Sequence, residues 1–115
     1  MMDLTKEIPR GEWRQFLDEF TREHQGWQVA VEVDDPEAGS QVQAHDLPLQ
    51  GIAADERDVA VVVGEEVSPA LTHIVHGARS LRVRETPRGN IATLEIESSD
   101  GSKTRVRLTQ VPQAA

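Results

Sequence analysis

Ile8–Trp27 reads IPRGEWRQFLDEFTREHQGW, and its spacing decides how the rest of the chain is understood. It holds every aromatic residue of the protein: Trp13, Phe16, Phe20 and Trp27. Trp13, Phe16, Leu17 and Phe20 recur at i, i+3, i+4 and i+7, which places them on one face of an α-helix. Pro9 suits the first turn, where its missing N–H is not needed, and Glu12 places a negative charge near the positive end of the helix dipole. The helix is predicted to end at about His24, with Gly26 supplying the left-handed residue that stops it. His24 then lies where a protonated imidazole favours the C-terminal dipole.

Downstream the pattern changes from a period of 3.6 to a period of two. Trp27, Val29, Val31 and Val33 alternate with Gln28, Ala30 and Glu32, a strand over Trp27–Asp34. The composition of 34–40 makes a turn. Residues 41–56 read as a strand that bends near Pro48–Gly51, because proline cannot donate to a ladder and an interior glycine marks a bulge or bend. Val59–Val63 is wholly apolar, which predicts a central strand covered on both faces. Residues 64–70 form a loop, and 71–78 have no clean period. Strands follow at 81–85, 91–97 and 103–108, separated by turns at 86–90 and 98–102.

The resulting fold class is α+β: one N-terminal amphipathic helix packed on, or plugging, a strongly bent antiparallel sheet of about six strands. The order of a helix followed by bent strands has the layout of an Sm-like or SH3-like partly open barrel. The 115 residues suit a single domain, 1–115, with an ordered core over about 8–111 and frayed ends.

Composition narrows the function classes. The chain has no cysteine, so disulfides, zinc–thiolate sites and thiol nucleophiles are excluded. It has no secretory leader pattern and no apolar run long enough to span a bilayer, which points to the cytoplasm and away from membranes. The net charge is −8, distributed as −11 over residues 1–66 and +3 over 67–115. An acidic chain repels phosphate backbones, so a nucleic-acid partner is disfavoured.

Four stretches resemble a family. IPR..W..F...F...H.GW (8–27), LPLQGIAAD..D (47–58), LTHIV (71–75) and LEIESSDG (94–101) are similar, in order and spacing, to a bacterial family of small proteins known as a domain of unknown function. The resemblance spans nearly the whole chain. Where that family usually has a Tyr-Asp-Pro turn this chain has Ala54-Asp55-Glu56, so the chemistry of that turn differs. The resemblance implies no activity, cofactor or catalytic residue.

The residues themselves offer three constellations. His73-x-x-His76 lacks the third and fourth ligands that zinc requires, and a structural role tethering the loop after Val63 is expected for His73. Asp55, Glu56 and Asp58 share a turn without the offsets of a calcium loop, so their side chains are expected to cap backbone N–H groups. Arg82 and Arg84, Glu95 and Glu97, and Arg105 and Arg107 form a basic–acidic–basic ladder if the last three strands pair in sequence order. No catalytic, metal-ligating or cofactor-binding residue is assigned, and phosphate-cradling and nucleophile-elbow motifs are missing. The candidate interaction residues are therefore His73, Asp55, Asp58, Arg82, Arg84, Arg105 and Arg107. The sequence favours a non-enzymatic protein-interaction or self-association module. The alternatives are an Sm-like nucleic-acid-binding domain and, behind it, a small-ligand or metal-dependent enzyme built around His73.

Overall fold

A computed structural model describes residues 4–64 and 71–110. The loop expected at 64–70 lies outside the described residues except for Gly64. The chain runs β1 (Leu4–Glu7), a 3-10 turn (Arg10–Glu12), α1 (Trp13–Glu23), β2 (Gln28–Asp35), β3 (Gly39–Ala54), β4 (Val59–Val63), β5 (Leu71–Val75), β6 (Ala78–Glu85), β7 (Ile91–Ser98) and β8 (Lys103–Thr109). The class is α+β with an antiparallel sheet, as expected. The strand number is not: among the described residues, eight strands form one open sheet in the order β1-β6-β7-β8-β2-β3-β4-β5. The extra strands come from two segments of weak pattern. Residues 4–7, expected to fray, pair with β6 through Leu4↔Glu85 to Glu7↔Arg82. Residues 71–75, which have no clean period, pair with β4 through Val59↔Val75 to Val63↔Leu71.

The topology forces the sheet to curl. β5 and β6 are consecutive and joined only by His76–Gly77, yet they stand six strand spacings apart in the sheet. Laid flat, that separation is roughly 29 Å. The short link spans no more than about 11 Å, so the sheet must bend back on itself. The bend is concentrated in β3. Its first half pairs with β2 as far as Gln28↔Pro48, and its second half pairs with β4 from Leu49↔Val63 onward. The register slips between Leu49 and Gly51, at the proline and glycine that the sequence singles out.

The inner face is aliphatic. Val29, Val31, Leu49, Val59, Val61, Val63, Leu81, Leu94, Ile96, Val106 and Leu108 are all buried. Val59–Val63 is covered more thickly on one face than the other: Val59, Val61 and Val63 are buried, whereas Ala60 and Val62 are half-buried. α1 adds Trp13, Leu17 and Phe20 to the core, while Phe16 and Trp27 are partly buried against it. The buried stripe thus passes through 13, 17, 20 and 24 rather than through Phe16. His24 is buried, its Nδ1–H donates to the Phe20 carbonyl at 2.7 Å, and its ring stacks on Phe20 and meets the edge of Trp27. Gly26, at φ +78°, turns the chain out of the helix, and its N–H donates to the Leu49 carbonyl.

Candidate functional site

The ladder of charges takes the register that the alternation implies and runs further than expected. Arg82 faces Glu95, and Glu95 faces Arg105. β1 adds Glu7 opposite Arg82, and β2 adds Glu32 opposite Arg105. One outward row therefore alternates in sign across five strands. The Arg82 Nε donates to Glu7 Oε1 at 3.3 Å, and Lys103 Nζ lies 3.5 Å from Glu95. Arg105 is held by Glu32 and Asp34, which keeps its guanidinium charged above the usual arginine range. Asp34 in turn lies below the usual carboxylate range, because Ser40 donates to it and Arg105 faces it.

The neighbouring row is different. Arg84, Thr93, Arg107 and Ala30 are in register across β6, β7, β8 and β2. Two short side chains alternate with two long cationic ones, so the surface dips between the arginines. The dip is a groove of about 480 Å³. Arg84, Arg105 and Arg107 line it, with Glu32 paired to Arg105, His45 and Val42 along β3, and Thr86 and Ile91 at the far end. Val42 is 63% exposed. The Arg107 side chain is exposed and makes no hydrogen bond or ion pair with a described residue. Three of the four candidate arginines thus share one groove. Arg82 stands outside it, lining a smaller depression with Arg84, Thr93 and Glu95.

The other candidates are placed elsewhere. Asp55 Oδ1 accepts the N–H groups of Arg57 and Asp58 at 2.9 and 2.8 Å, which stabilises the carboxylate and lowers its pKa. Asp58 Oδ1 accepts the Gly77 N–H at 3.2 Å, and its other oxygen lies 3.4 Å from His76 Nδ1. Both acids therefore cap backbone, as their turn composition suggests. Asp58 meets His76, whereas His73 sits on β5 opposite Val61. Burial beside His76 pushes the His73 imidazole below its usual value. Any tether from His73 to the 65–70 loop lies outside the described residues. Among the described residues there is no group of three or more His, Asp or Glu placed to hold a metal ion.

Two features were not read from the sequence. Arg10 donates to the Glu56 carbonyl at 3.1 Å and to the Ala78 carbonyl, and its guanidinium lies 4.3 Å from the Trp13 ring centroid. It ties the start of the helix to the β3–β4 turn and to β6. The edge of the sheet is the second. Of the three large apolar side chains exposed among the described residues, Leu71 (41%) and Ile74 (45%) lie on β5, the terminal strand. A run of five residues without Asp, Glu, Lys or Arg was the available signal, but nothing local marks LTHIV as an edge.

The comparisons with known proteins agree with the resemblance noted in the sequence. The model of a family of unknown function, DUF5335, matches residues 4–115. The chain belongs to that family. A protein of Aquifex aeolicus (strain VF5), named only as an uncharacterized protein, is 27% identical over 104 residues, covering 90% of this chain and 91% of its own length. No solved structure matches. Within this DUF5335 chain, the stretches carrying the resemblance are largely joints of the fold. Ile8 donates to Leu81, Arg10 bridges two carbonyls, and Asp55 and Asp58 cap the turns that join β3 to β4 and β5 to β6. Among the described residues, no helix is long and apolar enough to cross a membrane.

Proposed function

We propose that this domain is a non-enzymatic interaction module that self-associates by pairing β5 with β5 of a second copy. One observation carries the reading: among the described residues β5 ends the sheet, bears no formal charge other than that available to His73, and exposes Leu71 and Ile74. Sheet edges present unpaired N–H and C=O groups, and proteins that must stay monomeric protect them with charge, proline or a bulge. The opposite edge, β1, follows that rule with Lys6 and Glu7 exposed. β5 does not. Antiparallel pairing about His73 sets Leu71 across from Val75, Thr72 across from Ile74 and His73 across from its counterpart; apolar surface is covered, and burial favours the neutral form of the histidines. The contrast of −11 and +3 between the two parts of the chain supports self-association in general terms.

Sedimentation velocity over a range of protein concentrations, at low and high salt, tests the proposal. Pairing by backbone and apolar groups gives a dimer that survives high salt, and Ile74→Lys returns it to monomer with little loss of thermal stability. A monomer at every concentration and salt would overturn the reading. A dimer that salt dissolves and Ile74→Lys leaves intact would replace β5 pairing with contact between charged surfaces.

A further inference from the structure

The groove on the outer face gathers three arginines on an acidic protein. Arg105 is matched by Glu32 and Asp34, so the charge the groove offers a ligand is that of Arg107, in a chain of net charge −8. Arg84 and Arg107 flank Thr93 on strands two apart, which sets their Cα atoms roughly 10 Å from each other. Arg105 is occupied by Glu32 and Asp34 and forms a fixed wall. Arg107 reaches the groove with its guanidinium donors uncommitted to any described residue. The floor is low because Thr93 and Ala30 are short, and Val42 and Ile91 supply apolar surface at its sides.

From this arrangement we infer that the groove is a binding site for a small amphipathic oxyanion. A carboxylate or phosphate head sits against Arg107, and an apolar body lies over the floor toward Val42 and Ile91. A planar guanidinium offers paired donors that match either oxyanion. The volume falls within the roughly 300–1,000 Å³ of small-molecule sites. A long polyanion would also have to approach a chain of net charge −8, so the site suits a single head group and not a nucleic-acid backbone. This site is separate from β5 and does not depend on self-association.

Titrating the isotopically labelled full chain with octanoate, octyl phosphate, octanol and inorganic phosphate, followed by amide chemical shifts, tests the inference. One or both octyl anions should saturate at one per chain and move the amides of Ala30, Thr93 and Arg107. Octanol, lacking the head, and inorganic phosphate, lacking the body, should bind at least about tenfold more weakly, as expected when a charged hydrogen-bonding group or its apolar partner is lost. The tighter of the two octyl anions identifies the head group. Arg107→Glu should weaken the anions by roughly tenfold or more, the effect of losing a charge-assisted contact. Arg107→Gln, which keeps the apolar stem, should weaken them in the same direction with the fold undisturbed. No saturable binding of either octyl anion, equal affinity for octanol, or affinity unchanged in both Arg107 variants would overturn it.

Discussion

Thr21 and Ile52 bond each other twice. The Thr21 hydroxyl donates to the Ile52 carbonyl at 3.1 Å and accepts the Ile52 N–H at 3.0 Å. One side chain on α1 thereby satisfies both backbone groups of a β3 residue, just past the point where β3 changes partner. Thr21→Val keeps the shape and removes both bonds. Leaving two partly buried backbone groups unpaired should cost about 1–3 kcal/mol, and Thr21→Ser should recover most of it. Urea unfolding of the two variants checks this; a Thr21→Val protein as stable as the parent would mean the helix is held by packing alone.

The aromatic face of the helix divides by burial. Phe20 is 3% exposed, and Phe16 is only partly buried. Phe20→Ala should cost about 3–5 kcal/mol, the range for emptying a core aromatic site. Phe16→Ala should cost less than half as much, since its ring already touches solvent. Equal losses in thermal or chemical denaturation would show that Phe16 is as much a core residue as Phe20.

Gly77 sits at φ +62° in the link between β5 and β6, and a Cβ built there would lie 2.6 Å from the Ser99 hydroxyl oxygen. Gly77→Ala therefore meets both backbone strain and a clash. The strain is worth about 1–2 kcal/mol and the clash adds to it. Adding Ser99→Ala relieves the clash, because the remaining Cβ contact of 3.6 Å is ordinary, and leaves the strain. A double-mutant cycle read by denaturation should return a favourable coupling; simple additivity would remove Ser99 from the account.

Stability should fall with acid in two separate ranges. The folded protein depresses the pKa of His73 from its ordinary 6.5, chiefly by burial, so the unfolded chain binds a proton that the folded chain resists. That contribution is complete above 6.5 and declines as the pH drops below it. Asp34, Asp55 and Asp100 are depressed from 3.8 by hydrogen bonds to their ionised oxygens. Their contribution is complete above that value and is lost as the pH falls through the lower, folded values. Melting temperature against pH should flatten in the upper range for His73→Gln and in the lower range for Asp55→Asn. Curves that superimpose on the parent would sever these residues from the acid response.

The sequence made local order legible where period and punctuation agree. The helix with its Gly26 stop, the bend of β3 at Pro48–Gly51, and the alternation of β7 and β8 all follow from neighbours a few residues apart. β1 and β5 were not legible, because four or five residues of mixed pattern become a strand only when another strand offers its edge. The same holds for the groove. Arg84, Thr93, Arg107 and Ala30 all face outward by alternation, but their alignment in one row depends on the pairing of β8 with β2, some seventy residues apart in the chain.

What the sequence determined by itself is the inventory and its periodicity: one aromatic-faced helix, an aliphatic sheet, arginines on the outer side of the last strands, and acids in the turns. These follow from side-chain chemistry and the fixed geometry of helix and strand. Tertiary structure alone decided which strand ends the sheet and which residues stand side by side. The two-residue link at His76–Gly77 draws β5 and β6 together while their hydrogen bonds go to other strands, so the sheet curls. Long-range pairing then leaves Leu71 and Ile74 at an edge and sets Arg107 above the low floor of Thr93 and Ala30.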